Sequence, residues 1–565
     1  MLSGCQRLIS PSPYTTVFYG SHSEPSFILR TLELFHYGPL SPEKILHPLT
    51  KMFNWPAPKK RHNESTSASV SVSFTLLSER YVAVSLFESL FNASDLFTAF
   101  LRRDTVREVV EAVHNPTSIV HLHSHAPSFA LYHAVIALGH IAQCKVQRYQ
   151  DCPDSMLQAW TNFHAAEELV DPQSCIETLS VQALICQLIF LISTSRITSA
   201  HGLLGLAYSA LLRLGYHRSD NMDQQSLAEQ ILRAMMFSTV VKIDLYVGLM
   251  LDLPRFVPDD LVRDCLHTIH RLHELDTDLS MVASAKHLEL LHFASKARQV
   301  VFNHPDSESG AIDAGRLASI ERQLQHLSSD LSALTRQMGD NPSFVNVKYQ
   351  LETTLYATQL ILFRPFLHYL CTMAKNQPLP LAQSRHALAC VKIASTTILR
   401  SEVDSNITAT FSSTYALFVA VTTLIFLISA HEGTAQPGEA WKRAVTGLRG
   451  LYGNRCSEDI ATTGLEVLEV LVGQLSHTVD FDFRGIEKEA VEARMQASVP
   501  SLRPPAREVQ RARTTTPVVH DEEEEEIGYY ADADRLLARA ETMPLGFGFV
   551  DLLEADLDVE MDQMD

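Results

Sequence analysis

Three aspartates in the stretch DDLVRD have a spacing that could bind a divalent cation. On a helix, Asp259 and Asp260 lie one turn away from Asp264, and carboxylate oxygens on adjacent turns are ligands that Mg²⁺ accepts. The stretch directly follows LPRFVP, however, so a second interpretation makes the first aspartates the cap of a helix that begins near Leu261. No second magnesium motif follows downstream, and this second interpretation is preferred.

A cluster of histidines could be another metal site. The stretch HLHSH places His121, His123 and His125 at alternating positions, and on extended backbone the three imidazoles could meet at a metal ion. A histidine cluster in a loop is usually incidental, however, and no Cys or carboxylate stands beside this one, so we predict no metal site. The sequence has no nucleophile elbow, phosphate-binding glycine loop or HExxH motif. Asp244, inside an apolar helix, is expected to be a paired core acid. We therefore predict that the chain is not an enzyme.

The elements that position these residues are predicted to be helices. Between Glu79 and about Ser476, apolar residues recur at helical spacing with almost no strand-like alternation. In LLGLAYSALLRLGYHRSD, the apolar face predicts a helix in which Gly205 admits a neighbouring backbone and Gly215 takes the left-handed position at the end. The apolar stretch at 415–430 is short for a membrane span and predicts a buried core helix. The predicted fold class is all-α, a large multi-helical body.

The segments on either side of this body differ in composition. Residues 1–78 form a mixed N-terminal segment whose exposed loop carries Lys59, Lys60 and Arg61, a candidate nuclear-import signal or a solvated basic loop. Residues 79–480 are the predicted all-helical body. Residues 481–520 are predicted to be a linker rich in proline and arginine, and residues 521–565 an acidic tail, both of them disordered.

The charge of the chain is concentrated in that tail. The net charge is −19, and residues 521–565 contain 16 acids and 2 arginines, a net of −14, which leaves −5 for the rest. This balance argues against nucleic-acid binding by the chain as a whole. The nine cysteines are scattered without C-x-x-C pairs, as is typical of core residues in a reducing compartment.

The end of the tail combines acids with a stripe of bulky apolar residues. A helix through LGFGFVDLLEADLDVEMDQMD would gather five residues on one side: Phe549, Leu552, Leu553, Leu557 and Met561. An isolated helix of this length is marginal in water, so we expect the segment to fold into an apolar groove of a partner. A tail that only improves solubility would need no such stripe. The pattern favours an activation tail.

Nine blocks along the chain resemble one known family in their order. They are TVFYGSHSEPSFILR, LFESLFNASDLFTAF, HAVIALG, AWTNFHAAEELV, TLSVQALICQLIFL, LLGLAYSALLRLGYHR, VVKIDLYVGLMLDLPRFVPDD, YATQLILFRPFL and CVKIASTTIL. Together they resemble the fungal transcription factor regulatory domain, the middle homology region that usually follows a binuclear zinc cluster. The family's tryptophans are absent from LRAMMFS and from the stretch around LSSDLSALTRQM.

The resemblance implies a transcriptional regulator located in the nucleus. We expect an activator whose tail contacts the transcription machinery or a coactivator, with a homodimer or a DNA-bound partner as further associations. Two alternatives remain, a corepressor or scaffold that does not bind DNA, and a helical isoprenoid-synthase-like enzyme using Asp259, Asp260 and Asp264.

The zinc cluster that accompanies this domain needs six closely spaced cysteines, and only Cys5 lies near Met1. Direct DNA contact by this chain is therefore doubtful. We expect no cofactor in this chain, with zinc present only if a cysteine-rich segment upstream is missing. No membrane association is expected.

Overall fold

The computed structural model describes most of the helical body and a short part of the tail. The described residues are 7–12, 15–35, 42–54, 77–115, 122–147, 153–173, 175–218, 225–276, 278–302, 314–373, 381–402, 407–430, 438–456, 458–475, 481–497, 537, 538, 540 and 541. The elements within these ranges are overwhelmingly helical, which confirms the predicted all-α class.

The N-terminal part begins with a two-stranded antiparallel hairpin, β1 (Arg7–Ser12) and β2 (Thr15–Tyr19). The helices of the first half are α1 (Glu24–Phe35), α2 (Pro42–Asn54), α3 (Arg80–Ala93), α4 (Arg103–Val113), α5 (Leu122–Gln147), α6 (Pro153–Leu169), α7 (Thr178–Ser193), α8 (Ile197–Arg213) and α9 (Leu227–Leu251).

The second half continues the same architecture. Its helices are α10 (Asp259–Leu275), α11 (Leu279–Phe302), α12 (Ala314–Gln337), α13 (Val345–Phe363), α14 (His368–Met373), α15 (Leu381–Glu402), α16 (Phe411–Ala430), α17 (Glu439–Asn454), α18 (Ile460–Gln474) and α19 (Phe483–Ala497). Short 3₁₀ turns, Pro342–Phe344 and Arg364–Leu367, precede and follow α13.

Two groups of helices surround long apolar helices. In one, α5 packs against α3, α6 and α7, and in the other α16 packs against α13, α15 and α17. Every residue of α16 from Phe411 to Ser429 is buried, because the helix is apolar on all sides and must be enclosed. The two described helices that are long and apolar enough to span a membrane, α9 and α16, are both buried inside the body. The core-helix interpretation of 415–430 therefore agrees with the structure.

The helix at the centre of the resemblance, α8, ends as the sequence predicts. Gly215 has a φ of 72°, its N–H donates to the carbonyl of Leu212, and the N–H of Tyr216 donates to the carbonyl of Leu211. These two bonds are the Schellman arrangement, which satisfies the last carbonyls of a helix. The expectation for Gly205 was wrong, because a Cβ built there would lie 3.6 Å from the ring of Phe256, and no backbone atom of the described residues would lie within 4 Å of it.

The flanking segments contribute to the body as well. Helix α2 packs against α18, and Lys51 of α2 forms an ion pair with Glu466 of α18 at 2.5 Å. Helix α19 lies within the stretch 481–520 that composition predicts to be a linker, and it packs against α17. In both places, helices that are only modestly apolar are stabilised by contact with the body.

Candidate functional site: a charged pocket beneath the N-terminal turn

Two of the predicted functional segments lie outside the described residues. They are the basic cluster Lys59, Lys60 and Arg61, and the tail stripe formed by Phe549, Leu552, Leu553, Leu557 and Met561. Both assignments therefore stay predictions.

The aspartates of DDLVRD do not form a cation site in this structure. Helix α10 begins at Asp259, two residues earlier than predicted, so Asp259 and Asp260 lie in the first turn, where the helix dipole favours acids. Asp259 accepts bonds from Arg255 at 2.7 Å and from His292 at 3.1 Å. Asp260 and Asp264 are exposed on the surface. Within the described residues, no group of three or more His, Cys, Asp or Glu side chains could hold a metal ion.

The histidine cluster also has a different geometry from the one that a metal site would need. His123 and His125 lie in the first turn of α5, and His121 lies outside the described residues. The extended backbone required for alternating imidazoles to meet is therefore absent at 123 and 125.

Asp244 is a paired core acid, as expected, although its partners are backbone groups. Its two carboxylate oxygens accept bonds at 3.0 Å from the N–H groups of Phe256 and Val257. Burial raises the pKa of Asp244, and these two hydrogen bonds oppose that change. The carboxylate fixes the turn between α9 and α10, because it satisfies backbone donors that burial would leave unpaired.

The best-formed candidate site lies around the turn that joins β2 to α1. The N–H of Gly20 donates to the carbonyl of Leu251 at 3.2 Å, while the hydroxyls of Ser23 and Ser26 donate to the carbonyl of Gly20 at 2.8 Å and 2.7 Å. The N–H of His22 donates to Oδ2 of Asp252 at 3.1 Å. The turn is thereby fixed against the end of α9.

Asp252 is the electrostatic centre of this contact. It ends α9 with a φ of 55°, and its carboxylate lies 3.4 Å from Nδ1 of His22 and 3.2 Å from a guanidinium nitrogen of Arg298. Burial alone would raise the pKa of Asp252, but the hydrogen bonds from His22 and the charge of Arg298 lower it to about 2. The group is therefore a carboxylate at neutral pH.

A second ion pair lies deeper, between Glu24 at the start of α1 and Arg364 after α13. Arg364 donates to Oε2 of Glu24 at 2.5 Å, and the hydroxyl of Thr422 donates to Oε1 at 3.0 Å. The exposed fractions of the two charged side chains are 2% for Glu24 and 9% for Arg364. The guanidinium lies 3.8 Å from the centre of the Phe27 ring, a favourable cation–π distance.

These charges face an open pocket between α1, α13 and α16. Its volume is about 50 Å³, which is room for only a few water molecules. The residues that line it are Ser21, His22, Ser23, Glu24, Phe27, Leu249, Ala357, Ile361, Arg364, Pro365, Tyr415 and Val419.

Another buried polar centre surrounds Lys242 of α9. Its Nζ donates to the carbonyl of Leu96 at 2.5 Å and to the hydroxyl of Ser284 at 2.9 Å, and the residue is 0% exposed. Burial lowers the pKa of Lys242 to about 7 and raises the pKa of the neighbouring Asp95. Leu96 lies in the turn after α3 and Ser284 lies in α11, so the two hydrogen bonds of Lys242 connect both elements to α9.

Sequence reasoning missed the residues of the pocket and of the Lys242 centre as functional candidates. Glu24, Lys242 and Arg364 nevertheless stand inside the blocks FYGSHSEPSF, VVKIDLY and LFRPFL. A charged residue inside an apolar helical pattern was the available signal, because such a charge is rarely buried without a partner.

We expect that replacing Gly20 by alanine destabilises the turn by about 1–3 kcal/mol through overpacking. A Cβ at this position would lie 2.3 Å from the Cβ of Asp252. Gly202 is the control, since a Cβ there meets nothing within 4 Å, and its replacement by alanine in α8 should stabilise the protein by about 0.5–1 kcal/mol. Urea unfolding followed by circular dichroism measures both, and equal effects would contradict the close approach.

Comparison with known proteins finds a family match in the middle of the chain. Residues 110–289 match the model of the fungal specific transcription factor domain. The chain is 27% identical over 322 residues to Activator of stress genes 1 of Saccharomyces cerevisiae, a match that covers 53% of this chain and 33% of that protein. It is 23% identical over 273 residues to Activator of stress genes protein 1 of Candida albicans, covering 41% of this chain and 27% of that protein.

A third similarity, to a putative transcriptional regulatory protein of Saccharomyces cerevisiae, is 19% identity over 357 residues and covers 56% of this chain and 46% of that protein. The matching part of the chain thus spans between about a quarter and a half of the length of these relatives. No solved structure matches the chain.

Proposed function

Because the chain contains a fungal specific transcription factor domain at residues 110–289, we propose that it is a transcriptional regulator, and specifically an activator. The observation that carries the proposal is this domain match together with the similarity to two proteins named as activators of stress genes. The acidic composition of residues 521–565 is a second support, because a solvated acidic segment with bulky apolar residues can bind partner grooves.

In this proposal the chain performs no catalysis. Two relatives are named as activators of stress genes and a third as a transcriptional regulatory protein. The aspartates of the enzyme alternative are divided between an ion pair at Asp259 and exposed positions at Asp260 and Asp264. The helical body acts as the receiver of a signal, which comes from a small molecule or from a partner protein.

The site of action in this proposal is the nucleus, and Lys59, Lys60 and Arg61 are the import candidates. The cysteines within residues 1–565 are not spaced for a binuclear zinc cluster. DNA recognition therefore comes either from a DNA-bound partner or from sequence outside these residues.

A reporter assay tests the activating role of the tail. We expect residues 521–565, fused to a heterologous DNA-binding module, to raise transcription. Replacing Phe549, Leu553 and Leu557 by alanine should weaken binding to a partner groove by at least roughly tenfold, given the apolar surface removed. Replacing Tyr529 and Tyr530, which lie outside the stripe, is the control at matched protein level.

Two results would count against activation: no output from the intact tail, or unchanged output after the triple substitution. The cysteine spacing favours one other function, a corepressor or scaffold that relies on another protein to reach DNA. Co-purification separates the two, because a scaffold recovers a DNA-bound partner without raising transcription.

A further inference from the structure

A short part of the acidic tail lies against the helical body. Leu537 and Ala540 are 1% and 0% exposed, although the composition of residues 521–565 predicts a solvated segment. The two residues stand three positions apart, so one helical turn directs both side chains to the same side. This turn lies between the acid run that ends at Glu526 and the apolar stripe that begins at Phe549.

Three donors of the body bind the end of this turn, at Glu541. The ammonium of Lys392 donates to the backbone carbonyl of Glu541 at 3.0 Å, and the hydroxyl of Ser395 donates to its Oε1 at 3.2 Å. Arg443 donates to the same Oε1 at 3.2 Å. Lys392 and Ser395 belong to α15 and Arg443 belongs to α17, and these two helices pack against each other. The three donors therefore form one patch, which we call the tail-docking site.

The tail-docking site has the properties of a specific contact. Lys392 and Ser395 are 8% and 2% exposed, so the tail contact satisfies polar groups that would otherwise be costly to bury. Two of the three donors are cations that face a carboxyl-bearing residue, which matches the acidic character of the tail. The apolar contribution comes from Leu537, since its side chain is removed from water.

We propose that the tail-docking site binds residues 537–541 of the same chain and thereby restrains the activation stripe. Phe549 follows Glu541 by only eight positions, and eight extended residues reach at most roughly 26–29 Å. In this proposal, docking of the turn tethers the stripe within that distance of the body, and the body then limits the directions from which a partner can approach it. Release of the turn frees the stripe. The docking stands on the contacts alone, whereas the effect on output rests on the proposed function.

Hydrogen exchange of the full chain tests the docking. We expect the backbone amides of 537–541 to exchange about tenfold more slowly in the wild type than in Leu537→Asp. Glu541→Arg and Arg443→Glu should each remove part of the protection, and the double variant should restore part of it because the two charges attract again. Glu108→Arg, an equal charge reversal at an exposed position of α4, should leave the exchange of 537–541 unchanged. Equal exchange in wild type and Leu537→Asp, or no recovery in the double variant, would overturn the docking.

A reporter assay on the full chain, fused to a heterologous DNA-binding module, tests the restraint separately. We expect Leu537→Asp and Glu541→Arg to raise output several-fold, and the double variant with Arg443→Glu to lower it again. If exchange shows release but output is unchanged, the restraint of the stripe is wrong. An inactive tail-only fusion would instead disprove the activation function, and hydrogen exchange would still decide whether the turn docks.

Discussion

Replacing Arg364 by methionine will lower the free energy of unfolding by about 3–5 kcal/mol, the usual cost of breaking a buried ion pair by removing one partner. The change leaves the carboxylate of Glu24, which is 2% exposed, with the hydroxyl of Thr422 and without its cation. Methionine keeps much of the apolar stem but lacks the guanidinium that lies over Phe27, so the loss combines the ion pair with the cation–π contact. Urea unfolding of the full chain gives the difference.

Two further variants isolate the cause of that loss. Arg30→Met is the control, because it removes a cation of α1 from a solvent-exposed ion pair. The side chains of Arg30 and Glu33 are 42% and 35% exposed, and such a pair contributes only about 0–1 kcal/mol to stability. Glu24→Gln combined with Arg364→Met removes both charges and should recover much of the stability lost by the single variant. A double variant as unstable as the sum of the singles would show that the two groups do not interact.

Local rules allowed the helices to be predicted. The apolar spacing of a helix and the glycine at its end are patterns that span only a few positions of the sequence. Helix α8 has the buried face and the left-handed end at Gly215 that these patterns predict. The same reasoning placed α16 in the core because no side of that helix is polar. It placed the start of α10 two residues late, since Pro258 and not an aspartate precedes the first turn.

The candidate site depends on contacts between distant parts of the chain. Glu24 pairs with Arg364 across 340 positions, and Thr422 adds the second bond to the same carboxylate. No local pattern specifies such a partner, because pairing follows from how α1, α13 and α16 pack together. The stretch 481–520 shows the same limit: α19 has a weakly apolar sequence, and it is helical where α17 provides a surface.

The resemblance nevertheless contained a signal about the site. Three blocks that are far apart in sequence line one pocket. The block at 16–30 contributes His22 and Glu24, the block at 240–260 contributes Leu249, and the block at 356–367 contributes Arg364. The charged residues Glu24 and Arg364, each inside an apolar block, would have been a reason to look for a pair between two of these blocks. The pocket is thus a place where α1, α9, α13 and α16 meet.

Raising the pH from 7 to 9 will stabilise the wild type relative to Lys242→Met, by up to roughly 1.4 kcal/mol for each pH unit. Burial lowers the pKa of Lys242 from 10.5 to about 7, so within this window the unfolded chain binds one proton more than the folded chain. Stability then rises with pH. Below pH 7 both states are protonated at this lysine, and the difference between the two proteins should no longer change.

Other titratable groups close to Lys242 could also change the stability with pH, so their titration must be accounted for. Burial raises the pKa of Cys265 to about 12, and burial together with the nearby Lys242 lowers the pKa of His287 well below its usual value, so neither titrates between pH 7 and 9. Among the described residues, Asp95 is a further titratable neighbour of Lys242, and repeating the comparison in an Asp95→Asn background removes its titration. Urea unfolding at several pH values gives the slope. A flat difference between pH 7 and 9 in both backgrounds would mean that Lys242 keeps its proton throughout, and that its bonds to Leu96 and Ser284 stabilise the charged form more than burial opposes it.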